Sequence, residues 1–135
     1  MKSLTHYIQE KLIINSLQEK LVIKKKSNRY KYFPQTKEEL QDIILRRIKA
    51  EGNKVDLNDI DVSKITDMSK LFERTNFNGD ISSWDVSNVI HMGGMFWGCS
   101  KCNQDISNWN VSKVKNMNKM FLACPIEEKY KPVQL

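Results

Sequence analysis

Between Asp56 and Ile126 the chain writes one short unit three times. The rows open D-L-N-D-I-D-V-S, D-I-S-S-W-D-V-S and D-I-S-N-W-N-V-S, and run on to Phe72, Phe96 and Phe121. Set in columns they align Ile60, Trp84 and Trp109; Val62, Val86 and Val111; and Met68, Met92 and Met117, with periods of 24 and then 25 residues. Self-similarity at a fixed period in the twenties marks a repeat array, in which each unit buries its apolar face only against the next. No other feature narrows the fold as far.

Within a row, D-[IL]-[SN] alternates polar and apolar residues, so each row is expected to open with a short strand, Leu57, Ile81 and Ile106 stacking inward. Ser63, Ser87 and Ser112 then stand at N-cap positions. Ile65, Met68 and Phe72 follow at i, i+3 and i+7, the spacing of a short helix. Gly93-Gly94 weakens the middle helix by about 1 kcal/mol per glycine. The expected fold class is therefore an α/β repeat: a short leucine-rich-repeat-like β/α solenoid with an N-terminal helical cap. Residues 53–135 hold three β/α repeats and a terminal edge strand, Ile126–Lys131, with Tyr130 and Val133 in the inward slots of Ile81 and Trp84.

Residues 1–52 form the cap, basic and helical. Ser3 caps a first helix with Leu4, Ile8 and Leu12 on one side; Asn15 and Ser16 interrupt it, and the pattern beyond leaves its structure open. A second helix follows Pro34. Thr36-x-x-Glu39 is a capping box; Leu40, Ile43, Ile44 and Ile48 form an apolar stripe; and Gly52 ends the helix. Covering the first row's open core is its expected role.

Charge is placed unevenly. Residues 1–52 carry 12 basic and 6 acidic residues, whereas residues 53–135 carry 10 of each. Lys24, Lys25, Lys26, Arg29, Lys31, Arg46 and Arg47 make up a basic patch, and Tyr30, Tyr32 and Phe33 interleave with it, the ingredients of single-stranded nucleic-acid binding; a solvated linker is the plainer reading. Across the rows, Asp56, Asn78, Asp80, Ser82, Asn103 and Asp105 face outward on the strand side and form the candidate protein-binding face. The Asp56–Asp80–Asp105 ladder brings like charges about 4.8 Å apart, so each carboxylate is expected to accept hydrogen bonds from nearby backbone. A flat ladder offers no calcium cage of six to eight oxygens.

Cys99-Ser-Lys-Cys102 is a C-x-x-C pair, with Cys124 and His91 nearby. The columns point to core positions instead: Cys99 and Cys124 share one apolar slot and Cys102 takes that of Phe77, and free cysteine behaves as a small buried hydrophobe. No four ligands converge, so no metal and no cofactor are expected. There is no nucleophile–base pair, P-loop or dinucleotide fingerprint, and an enzyme with a small-molecule substrate is not expected. No unbroken apolar run serves as a signal peptide or membrane span, which points to a cytoplasmic protein with no membrane contact.

The stretch F-N-G-D-I-S-S-W-D-V-S-N-V-x-x-M-x-x-M-F-x-x-C resembles the repeat of the BspA-like leucine-rich-repeat surface-protein family, over residues 53–126. That resemblance implies a β/α solenoid used for adhesion or protein–protein contact, with no catalytic residues to carry over. The lead-in F-P-Q-T-K-E-E-L-Q-D-I-I is similar to that of short, leaderless repeat proteins of bacteria and their bacteriophages. Two functions are weighed: a non-catalytic protein-binding module using the strand face, and a phage-encoded inhibitor of a host defence complex (anti-CRISPR type) that grips RNA or an RNA–protein complex through the basic N-terminal region.

Overall fold

The structure, a computed structural model, describes residues 3–133, and of residues 22–28 the backbone only. The chain divides into two units, Met1–Lys31 and Tyr32–Leu135. The boundary therefore precedes the second helix, which belongs with the rows.

In the first unit, helix α1 (Leu4–Arg29) runs unbroken for 26 residues. Ser3 Oγ accepts the His6 N–H at 3.1 Å, capping it. Asn15 and Ser16 do not interrupt it, since either costs well under about 1 kcal/mol inside a helix. Leu4, Ile8 and Leu12 lie along one side, and Tyr7, Ile14, Leu17 and Leu21 along another; all are between 47% and 74% exposed. Among the described residues no helix is long and apolar enough to cross a membrane.

The second unit begins with helix α2 (Lys37–Glu51). Thr36 Oγ1 accepts the Glu39 N–H at 3.2 Å, and Glu39 reaches back to the Gln35 N–H at 2.8 Å. Gly52, at φ 90°, ends the helix by donating to the Ile48 carbonyl. Leu40 and Ile44 are buried in the same core as the rows, with Ile43 and Ile48 packed against it.

The rows overturn the expected fold class. Among the described residues there is no strand and no sheet; the regular elements are α1, α2 and one 3₁₀ turn at Glu128–Tyr130. Among the described residues β-type pairing is confined to the isolated parallel bridges Tyr32–Ile60, Asp67–His91 and His91–Asn116, and the other row-to-row backbone bonds form no ladder. A leucine-rich-repeat-like β/α solenoid is not what this sequence forms. Each row is a succession of tight turns, with Ile60, Ile65 and Leu71 donating to the carbonyls of Leu57, Val62 and Met68.

The reason no helix forms is visible in the hydrogen bonds. Met68, Lys70, Phe72 and Arg74 donate across to the carbonyls of His91, Gly93, Met95 and Trp97 in the next row. Between them, Leu71, Glu73 and Thr75 donate three residues back. The second row repeats the scheme, Met92, Gly94, Phe96 and Gly98 donating to the third. Two columns also hold a left-handed backbone: Lys70, Gly94 and Lys119 at φ 58°, 63° and 59°, and Arg74, Gly98 and Ala123 at 56°, 69° and 55°. No right-handed helix passes through two such residues four apart.

The terminal edge strand is likewise replaced by the 3₁₀ turn. Ile106 donates to the Tyr130 carbonyl at 3.0 Å as Leu57 does to that of Asp80, so the tail sits one position off the expected register. Val133, expected in a Trp slot, is 86% exposed.

What stacks is the side-chain columns. Phe72, Phe96 and Phe121 lie ring on ring at 5.6 and 5.8 Å, each pair within 7° of parallel, and Trp84 lies 6.4 Å from Trp109. Leu57, Ile81 and Ile106 are fully buried, as are Met68 and Met92. Burial of this kind stabilises by about 1.5–3 kcal/mol per large side chain.

Candidate functional site

The outward polar columns are built from repeated Asx turns. Oδ1 of Asp56, Asp80 and Asp105 accepts the backbone N–H two residues on, at 2.9, 2.9 and 3.0 Å. Asp61, Asp85 and Asn110 do the same one corner further, and Asp67 and Asn116 at the next. Ser82 and Ser107 add their hydroxyls to the carboxylates of Asp80 and Asp105 at 2.6 Å. The like charges of a ladder are thus held by donors on their own turns.

Those donors set the protonation. The Ser82 hydroxyl, then the Asn58 amide and the Ser82 N–H, hold Asp80 below the usual carboxylate range. The Ser107 hydroxyl and N–H do the same for Asp105. At Asp67 partial burial acts most strongly and upward, but the Ser69 bonds with the Lys37 and His91 charges outweigh it and the net direction is down.

Five of the six residues expected on the binding face meet at one place. Asn78, Asp80, Ser82, Asn103 and Asp105 line an open depression of about 380 Å³ with Lys54, Gly79 and Gln104; Asp56 is not among its walls. Asn78 and Asn103 are tied between rows, Asn78 Oδ1 accepting the Asn103 N–H and Asn103 Oδ1 that of Glu127, both at 2.9 Å. Gly79 is obligatory here, because a Cβ would lie 2.0 Å from the Val55 carbonyl oxygen.

Gln104 is the residue the sequence reading missed. It shares the column of Val55 and Gly79, yet carries an amide there, and it is the one polar side chain buried among the described residues, at 9% exposure. Its Nε2 faces the Cys102 sulfur at 3.8 Å, while its buried Oε1 has no hydrogen-bond partner among those residues. A polar residue in an apolar column was the available signal.

The basic residues fall in both units, Lys24, Lys25, Lys26, Arg29 and Lys31 in the first and Arg46 and Arg47 in the second. Lys24, Lys25 and Lys26 lie in α1, and their side chains fall outside the described residues. Arg29 and Lys31 are exposed, Arg29 over the Tyr30 ring at 5.3 Å. Arg46 pairs with Asp42 on α2. Arg47 is committed internally: it forks onto Asp59 at 2.8 and 3.1 Å, pairs with Glu51, donates to the Asp56 carbonyl and covers Tyr32. Partial burial works against its charge most, but the Asp59 and Glu51 bonds and charges prevail and hold it above its ordinary value.

Cys99 and Cys102 occupy buried core positions, but they are joined in a disulfide, correcting the expectation of free thiols. Cys124 is free and half-buried, and burial raises its thiol. Among the described residues no group of three or more His, Cys, Asp or Glu is placed to hold a metal ion.

Among known proteins, the family model described as "Mycoplasma protein of unknown function, DUF285" matches residues 38–129, from the first turn of α2 into the 3₁₀ turn. No curated protein and no solved structure matches. The match spans well over half of the chain, and the protein belongs to the DUF285 family.

Proposed function

We propose that this protein is a non-catalytic binding module that holds a partner protein against the ladder face. The observation that carries the reading is the gathering of Asn78, Asp80, Ser82, Asn103 and Asp105 on one depression. Its donors and acceptors are fixed by the turns that carry them, so little ordering entropy remains to be lost on binding. The narrower kinship with BspA-like surface proteins belongs to the same proposal. It rests on F-N-G-D-I-S-S-W-D-V-S, residues 77–87, and that family's use in adhesion and protein contact favours binding over catalysis.

A second reading keeps the phage-encoded inhibitor of a host defence complex, contacting protein or RNA through the N-terminal region in the cytoplasm. The exposed apolar rows of α1, ending beside exposed Arg29 and Lys31, favour it. Affinity capture from cells separates the two. Charge reversal at Asp80 and Asp105 should abolish capture under the first reading, and neutralising Lys24, Lys25 and Lys26 should slow association only. Co-purified RNA, lost in the triple-lysine variant alone, would favour the second.

A further inference from the structure

Gln104 stands where the first row has Val55 and the second Gly79, and an apolar residue there would serve the core at least as well. Burying an amide carbonyl without a partner is unfavourable. The Cys102 sulfur, already bonded to Cys99, accepts from Nε2 and leaves Oε1 wanting a donor. The same depression carries two carboxylates whose charge is not needed to close their turns. Asn110 and Asn116 close the same backbone Asx bond with a neutral side chain, at 3.1 and 2.9 Å, so at Asp80 and Asp105 the charge strengthens the turn, through the Ser82 and Ser107 hydroxyls, without being required to form it. Each also spends Oδ1 on its own turn.

We propose that this depression receives the guanidinium of an arginine side chain presented by the partner, the carboxylates of Asp80 and Asp105 accepting from it and the Gln104 side chain turning its buried Oε1 outward to join them. The inference rests on the binding-module reading and names the chemistry of that site. Acceptors spread over two rows, about 4.8 Å apart, match the planar five-donor fork of arginine better than the point charge of lysine. Lys54 lines the same depression, but it stands in the column of Asn78 and Asn103 two rows from Asp105, about 10 Å away, so the Gln104 end stays acidic.

The test uses the full chain and NMR titration with Nα-acetyl-arginine-amide, its citrulline counterpart and free arginine. The arginine amide should shift the Gln104 side-chain amide and the Ser82 and Ser107 backbone N–H signals, and citrulline, which lacks the charge, should not. Gln104→Met and Asp105→Asn should each weaken binding roughly tenfold or more, while Gln104→Met raises the melting temperature, because an apolar side chain suits that column. Binding unaffected by Gln104→Met would overturn the proposal, as would equal binding of citrulline. Free arginine binding tenfold tighter than the blocked amide would identify an amino-acid site and overturn the assignment to a protein partner. If the amide does not bind while charge reversal at Asp80 and Asp105 still abolishes partner capture, the arginine assignment falls and the binding-module reading stands.

Discussion

Trp84 donates its indole N–H to the Leu57 carbonyl one row back, at 2.9 Å, and Trp109 repeats the bond to Ile81 at 3.1 Å. A large ring in each row thus satisfies a buried backbone acceptor of its neighbour while stacking on the rings around it. The array is held through these columns together with row-to-row backbone hydrogen bonds, not through a sheet.

Trp84→Ala is therefore expected to destabilise by about 3–5 kcal/mol, a large part of a small domain's stability. Trp84→Phe retains most of the stacking but leaves the Leu57 carbonyl with the Ile60 N–H alone, for a loss of about 0.5–1.5 kcal/mol. Urea denaturation followed by far-ultraviolet circular dichroism measures both; unchanged midpoints would mean that the Trp column is not in the core.

Turns and helices predict opposite signs at two positions. Lys70 and Gly94 share a left-handed column. Lys70→Gly should stabilise by about 1 kcal/mol, and Gly94→Ala should destabilise by about the same amount. In a helix each sign would reverse, glycine being about 1 kcal/mol worse than alanine. Thermal melts of the two variants suffice to decide.

Why the columns are legible in the sequence while the backbone is not follows from the same residues. Inward positions such as Leu57, Ile81 and Ile106 depend only on side-chain identity at a fixed period, and all three are buried. The path between them is ambiguous, because a three-residue turn and a helical turn both return an apolar residue to the same side at i+3. Ile65, Met68 and Phe72 satisfy either. Gly94 and Gly98, four apart, hold the distinguishing information: each occupies a left-handed position, where a helix reading takes Gly94 for a weakness. The polar face is legible because Asp, Asn and Ser at turn corners have few other uses. Gln104 is not, since its importance lies in a missing hydrogen bond.

Acid should weaken the fold in a defined direction. Asp67, Asp80 and Asp105 are held below their ordinary range, so they contribute stability where the unfolded chain is ionised, above about pH 4. That contribution is lost as pH falls through the folded-state values. Melting temperature should be nearly level from neutral pH to about 5 and fall below about 4, and replacing the three by Asn should flatten this acid limb. An acid limb unchanged in the triple variant would contradict the turn bonding.

The thiols offer a separate check. Intact mass after alkylation should show one reactive cysteine, Cys124, labelled slowly because its thiol is raised by burial. Joint replacement of Cys99 by Ala and Cys102 by Val should still fold, since a disulfide closing so short a loop contributes about 2 kcal/mol or less. Metal analysis returning one zinc per chain would contradict the core placement of these residues.

The central claim is that the ladder face binds a partner, and hydrogen–deuterium exchange of the chain with and without its captured partner tests it most directly. The account predicts new protection centred on the amides of Ser82, Asn103 and Ser107, with α1 unchanged. Protection confined to Leu4–Arg29, with the ladder amides exchanging as in the free protein, would contradict it.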